Sequence, residues 1–187
     1  MQALPKHACL LVIDVQEGFD DPAWGQRNNP QAESNISALL AAWRETQRPV
    51  VIVQHLSRDP ASPLAPSAPG ARLKAVAMPR PGEVHITKHV NSAFIGTGLE
   101  NLLHERGWDV LVIAGLTTPH CCSTTARMAG NLGFSTYAAG DAMAAFDLTG
   151  PDGRVVPAET VHAVELASLH GEFATVLDTA EILRSLG

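Results

Sequence analysis

Three reactive side chains stand at matching places in the chain. Asp14 follows the apolar run Cys9-Leu10-Leu11-Val12-Ile13. Lys88 follows Glu83-Val84-His85-Ile86-Thr87, and Cys121 lies just beyond Asp109 to Ala114, at the head of a small-residue stretch. A cysteine attacks an electrophilic carbon as thiolate, so it needs a proton acceptor and a stabilising charge nearby. Asp14 can accept that proton and pass it to a leaving amine. Lys88 can keep the carboxylate ionised and favour the thiolate. A cysteine in the opening turn of a helix also meets unpaired N–H groups and the positive end of the macrodipole, which predicts a low-pKa thiolate at Cys121. Backbone N–H groups between Thr117 and Cys121 are candidates to hold an oxyanion. Taken singly, each residue has a plainer reading: a turn aspartate, a solvated lysine, a buried small cysteine. Their joint position at three strand ends is what favours chemistry.

The elements that position them alternate. Cys9 to Ile13 predicts a strand buried on both faces. Val15 to Asn29 is a long connection, and Asn29 with Pro30 predicts a helix N-cap followed by N1. Ile36, Leu39, Leu40 and Trp43 carry that helix to about Thr46. Pro49 to Val53 is a second strand. Prolines at 60, 63, 66, 69, 79 and 81 forbid regular structure between Ser57 and about Gly82, predicting an ordered loop of the kind that serves as a lid or binding loop. Glu83 to Thr87 is a third strand, and Thr97 with Glu100 predicts a capping box opening a helix that stops near Gly107. Asp109 to Ala114, Phe134 to Ala139 and Phe173 to Leu177 complete six strands. Helices are predicted from His120 to a C-terminal glycine at Gly133, from Thr160 to His170, and after a capping pair at Asp178 and Glu181. Alternating strands and helices imply a three-layer α/β/α, Rossmann-like arrangement with a mainly parallel six-stranded sheet, whose ligands bind beyond the strand C-terminal ends.

Composition narrows the class. A chain of 187 residues is expected to form a single domain, 1–187, with a full core. A net charge of −6 gives no reason to expect nucleic acid or an anionic membrane as partner. Three cysteines, two adjacent, make no disulfide framework, which with the lack of a signal-peptide pattern predicts a reducing, cytoplasmic setting. No apolar run approaches the roughly 18 residues of a membrane span.

Three segments together resemble the isochorismatase-like cysteine hydrolases, the superfamily that includes nicotinamidases. They are Leu11-Val12-Ile13-Asp14-Val15-Gln16, Lys88 with Ser92-Ala93-Phe94, and Gly115-Leu116-Thr117-Thr118-Pro119-His120-Cys121 with Thr125-Ala126-Arg127. The resemblance covers almost the whole chain. It implies an Asp14–Lys88–Cys121 triad, a cis peptide at Leu116–Thr117, an oxyanion hole of the Thr117 and Cys121 N–H groups, and a homo-oligomer, dimer or tetramer. It also assigns the nucleophile to Cys121 over Cys122, whose family position is usually valine.

Departures from the family shape the expected substrate. Nicotinamidases carry an Asp-x-His pair plus a second His that bind a metal. Here the second strand ends Gln54-His55-Leu56-Ser57, so no metal and no cofactor are expected. His55, His85, His89 and His120 are the alternative metal set, read instead as scattered polar histidines. Isochorismatases that cleave an enol ether commonly lack the cysteine, so Cys121 favours C–N cleavage of a small amide, imide or ureide. Ether hydrolysis and an idle, metabolite- or partner-binding member are the alternatives. Phe19, Trp24, Asn28, Phe94 and His120, with Arg27 and Asn29, are the candidate substrate contacts. Arg127 is read as structural, and His162, His170 and Glu172 as candidates for a subunit contact.

Overall fold

Side-chain alternation along the first strand sets the layers. The computed structural model describes residues 3–187. In β1 (Cys9–Ile13) every residue is buried. Successive strand side chains point to opposite faces. Cys9, Leu11 and Ile13 accordingly enter one core cluster, and Leu10 and Val12 the other. The second cluster is closed by α1 (Ala32–Glu45), which buries Ile36, Leu39, Leu40 and Trp43.

The chain continues through β2 (Val50–His55), β3 (Val84–Lys88), α2 (Leu99–Arg106), β4 (Val110–Leu116), α3 (Ser123–Asn131) and β5 (Ser135–Ala144). A short hairpin, β6 (Leu148–Thr149) with β7 (Val155–Val156), leads to α4 (Ala158–Leu169), β8 (Thr175–Leu177) and α5 (Thr179–Arg184). The main sheet is wholly parallel, in the order β3-β2-β1-β4-β5-β8. Leu99 and Leu103 of α2, Ala126 and Ala129 of α3 and Leu169 of α4 pack on one face; α1 and Ile182 of α5 pack on the other. This is the three-layer arrangement with six strands that the sequence predicts. Among the described residues no helix is long and apolar enough to cross a membrane.

Local signals fare unevenly. Gly107 and Gly133 end their helices with positive φ, and Asp178 with Glu181 forms the predicted capping box. Asn29 does not cap α1. Its φ is 44° and its amide donates to Met143 O at 2.8 Å, so the helix begins two residues beyond Pro30 with no side-chain cap. Thr97 is spent on Ala93 O at 2.6 Å, and α2 starts from Gly98 without a capping box. The helix predicted from His120 is preceded by a π turn, Thr118–Cys122, and regular helix begins at Ser123. The strand predicted from Phe134 to Ala139 runs on to Ala144 through a register break, where Ile113 pairs Ala138 but Gly115 pairs Met143. The two-residue strands β6 and β7 are too short to leave a periodic trace.

Two close approaches require glycine. Gly115 has φ 135°, and a Cβ there would lie 2.0 Å from Ile13 O, so β4 can lie this close to β1 only without a side chain. At Gly70 a Cβ would lie 2.5 Å from Pro63 O and 2.7 Å from Gly18 Cα. The proline-rich loop is therefore seated tightly on the connection after β1. Glu17 N donates to Arg72 O and Lys74 N to Val15 O, both at 2.9 Å, which makes the loop an ordered cover over that connection.

Candidate active site

The strand order places the chemistry. β1 lies between β2 and β4, so the chain leaves it in opposite directions on its two sides, and a crevice opens at that switch point beyond the strand C-terminal ends. Ile13 pairs Gly115 across β1 and β4, which sets Asp14 beside the turn that carries Cys121. His55 pairs Lys88 across β2 and β3. The ends of four adjacent strands thus contribute to one cluster.

Lys88 Nζ lies at its centre. It donates to Asp14 Oδ2 at 2.6 Å, to Val90 O at 3.2 Å and to Cys121 Sγ at 3.3 Å, with His55 Nδ1 at 3.0 Å. Both side chains of the Lys88–Asp14 pair are fully buried. Asp14 itself has φ 50°, an uncommon conformation for a residue with a side chain, and among the described residues its Oδ1 has no hydrogen-bond partner. Burial raises the Asp14 carboxyl above the usual carboxylate range, against the pull of the Lys88 ammonium.

The low-pKa expectation for Cys121 is overturned. Burial first, then the Asp14 carboxylate, pushes its thiol up to about 12 against the opposing Lys88 charge. A helix N-terminus favours a thiolate only weakly, whereas removing the sulfur from water beside a carboxylate favours the neutral thiol strongly. Burial likewise raises Cys9 and Cys122. All three cysteines are free.

The approach to Cys121 has the cis peptide at Leu116–Thr117 that the resemblance implies. Thr117 O accepts from His120 N at 3.3 Å and from Cys122 N at 3.2 Å, so those two N–H groups are already engaged. Thr118 Oγ1 meets His162 Nδ1 at 2.8 Å, tying the turn to α4. His162 is buried inside the fold and, with Asn29 Nδ2 on its other ring nitrogen at 3.3 Å, is a brace of this turn where a subunit contact was expected.

The expected contacts divide. Phe19 and Trp24 stack with Phe146, at 6.3 and 5.6 Å between ring centroids, in a third apolar cluster with Leu116. Trp24, Thr117, His120, Phe146 and Asp147 border a pocket of about 50 Å³. Phe94 is apart from that group, stacked on Phe134 in the cluster that holds Cys121. Asn28 is occupied: its Oδ1 accepts from Ala145 N at 2.7 Å and its Nδ2 donates to Glu159 at 3.3 Å. Arg27 is held by both oxygens of Glu33, at 2.8 and 2.6 Å. Arg127 pairs Glu165 and lies over the Phe173 ring, a structural position as read. Phe146 and Asp147 were missed because they lie just past an unrecognised strand extension, and Gln16 because its motif said nothing of its partners. Gln16 Nε2 donates to His55 O and Ala71 O, and its Oε1 accepts from His55 N.

The four histidines of the alternative metal set do not converge. Among the described residues the set able to offer a cation oxygen, nitrogen and sulfur is Asp14, His55 and Cys121, with donor atoms within 4.8 Å of one another. Lys88 Nζ is already bonded to all three, so the positive charge in that cage is the chain's own ammonium.

Comparison with known proteins identifies the family. The family model described as the isochorismatase domain matches residues 8–181. An isochorismatase family protein of Bacillus subtilis, YrdC, is 49% identical over 93% of this chain and 93% of its own. Nicotinamidase 3 of Arabidopsis thaliana is 28% identical over 97% of this chain and 89% of its own. A crystal structure of an isochorismatase-family protein from Chromobacterium violaceum superposes with a TM-score of 0.96, at 46% identity, over 100% of this chain and 97% of that one. Match and superposition both extend over nearly the whole chain, and the chain belongs to the isochorismatase family of hydrolases.

Proposed function

We propose that this hydrolase cleaves a C–N bond of a small amide, imide or ureide, with Cys121 as nucleophile, Asp14 as proton carrier and Lys88 as the charge that holds the two together. The observation that carries the reading is the buried Lys88 ammonium bonded at once to Asp14 Oδ2 at 2.6 Å and Cys121 Sγ at 3.3 Å. A neutral resting thiol fits a carboxylate made more basic by burial: the proton leaves sulfur for Asp14 as sulfur attacks the carbonyl carbon. Asp14 then gives that proton to the departing nitrogen as the C–N bond breaks, leaving a thioester. Water attacks the thioester, Asp14 takes its proton and returns it to sulfur, and the acid departs.

The oxyanion would be held by the Thr117 and Cys121 N–H groups, since those of His120 and Cys122 already serve Thr117 O. The positive charge the cycle needs is supplied by Lys88, without a metal or cofactor. Trp24, Phe146 and His120, beside Thr117, offer aromatic faces to a small planar substrate, and Phe19 supports them from behind. The nicotinamidase relative is named for amide cleavage, which favours the C–N reading over ether hydrolysis. A homo-oligomer belongs to the same proposal, and Val155 and Val164, 62% and 61% exposed, give it an apolar surface. Three free, buried cysteines suit a reducing, cytoplasmic setting.

A screen of small amides, imides and ureides with ammonia release as readout tests the reading. Turnover of any substrate found should vanish in Cys121→Ala and persist in Cys122→Val; full activity in Cys121→Ala would overturn it.

A further inference from the structure

We propose that His55 is a positioning residue for this site, acting through Lys88: its neutral Nδ1 accepts one N–H of the ammonium and so aims the others at Asp14 and Cys121. The inference rests on the triad reading above and adds to it a fourth group that touches neither substrate nor sulfur.

The argument begins with the count of protons. An ammonium has three N–H groups and no lone pair. Around Lys88 Nζ stand four acceptors: Asp14 Oδ2 at 2.6 Å, His55 Nδ1 at 3.0 Å, Val90 O at 3.2 Å and Cys121 Sγ at 3.3 Å. Asp14 and His55 take the two shorter bonds and thereby fix the tetrahedral group in rotation. The third N–H is then left to the sulfur and the Val90 carbonyl. Without the His55 acceptor the ammonium is anchored by Asp14 alone and free to turn toward Val90 and away from sulfur.

The imidazole is built for this use. Its backbone is clamped on both sides by Gln16, whose Oε1 accepts from His55 N at 2.8 Å and whose Nε2 donates to His55 O at 2.9 Å. Gln16 is fully buried and two residues from Asp14, so one short segment fixes both the carboxylate and the imidazole. Accepting from Lys88 requires a lone pair on Nδ1, hence a neutral ring. Burial, then the charges of Lys88 and His89, lowers His55 to about 4, so the ring stays neutral through the neutral range. The charged and titratable groups facing it are Lys88, Asp14, Cys121 and His89, and the Lys88 ammonium opposes its protonation.

Asparagine offers an amide oxygen close to where Nδ1 stands, while leucine and alanine offer none. The test is the pH-dependent rate at which iodoacetamide alkylates Cys121, resolved by peptide mass spectrometry, in folded wild type, Asp14→Asn, His55→Leu, His55→Ala and His55→Asn. Asp14→Asn removes the group that takes the thiol proton, so alkylation should slow; no change there would sink the triad reading itself. His55→Leu and His55→Ala should slow alkylation about tenfold, the scale of a small misplacement in a preorganised site, with the rise in rate shifted to higher pH. His55→Asn should restore the wild-type rate and profile. With Asp14→Asn responding, wild-type behaviour in either acceptor-free variant, or equal slowing in His55→Asn, would overturn the positioning role alone. Two acceptor-free variants are included because the smaller one leaves the clamp by Gln16 intact if leucine disturbs the fold.

Discussion

At the scale of single residues, the Lys88–Asp14 pair is expensive to build and more expensive to break. Desolvating two charges costs several kcal/mol each, and their attraction offsets this only while both remain. Among the described residues Lys88 is the cation bonded to this carboxylate. Lys88→Met should therefore cost about 3–5 kcal/mol by leaving a buried carboxylate unpaired. Asp14→Asn should also destabilise, and the double variant should cost clearly less than the sum of the two. Urea unfolding at pH 7 measures the cycle, and additive losses would mean that water compensates each charge alone. The sequence revealed these residues because each ends a strand, a local and periodic signal. It misjudged the cysteine's ionisation because a helix terminus can be read locally, whereas desolvation comes from residues distant in the chain. His55 is the same case: a histidine at a strand end is visible, but its lysine lies 33 residues further on.

At the scale of elements, the start of α1 depends on side chains that no capping pattern describes. Glu33, in its first turn, receives Arg27 at 2.8 and 2.6 Å and Lys74 at 2.7 Å, and Lys74 also reaches Asp20 at 2.6 Å. These bonds join the connection after β1, the proline-rich loop and the helix. Burial works to raise the Glu33 carboxyl, but the bonds and charges of Arg27 and Lys74 prevail and hold it at about 2. Because the folded value lies below the ordinary 4.5, the cluster contributes stability that is fully present above pH 4.5 and lost as pH falls toward 2. Glu33→Gln should cost about 1–2 kcal/mol at pH 7, discounted for its partial exposure, and little at pH 2. Urea midpoints of both proteins across that range check it, and equal losses at both pH values would remove Glu33 as the titrating group. Helix and strand existence was legible here, since Ile36 to Trp43 repeat at helical spacing. The start of α1 was not, because Asn29 is drawn to the irregular end of β5, 114 residues away.

At the scale of the whole molecule, periodicity supplied six strands and a parallel sheet but not their order. The order decides function, since only the reversal at β1 brings the Asp14, His55 and Cys121 ends together with Lys88. Charge acts at the same scale. The chain has 13 Lys and Arg against 19 Asp and Glu, and Lys88 is fully covered, so an approaching ligand meets a net negative surface. That field extends about 30 Å at 0.01 M salt and about 8 Å at physiological ionic strength. An amide carrying a carboxylate should be repelled at low salt, so its kcat/KM should rise as salt is added. A neutral planar amide should show a flat response over the same range. The two substrates differ in charge but not in the bond broken, so salt acts on encounter and leaves the chemical step at Cys121 alone. Measuring kcat/KM for both from low to physiological salt decides the matter. A fall with salt for the anionic amide would mean that the mouth near His120 presents positive potential strong enough to outweigh the net charge.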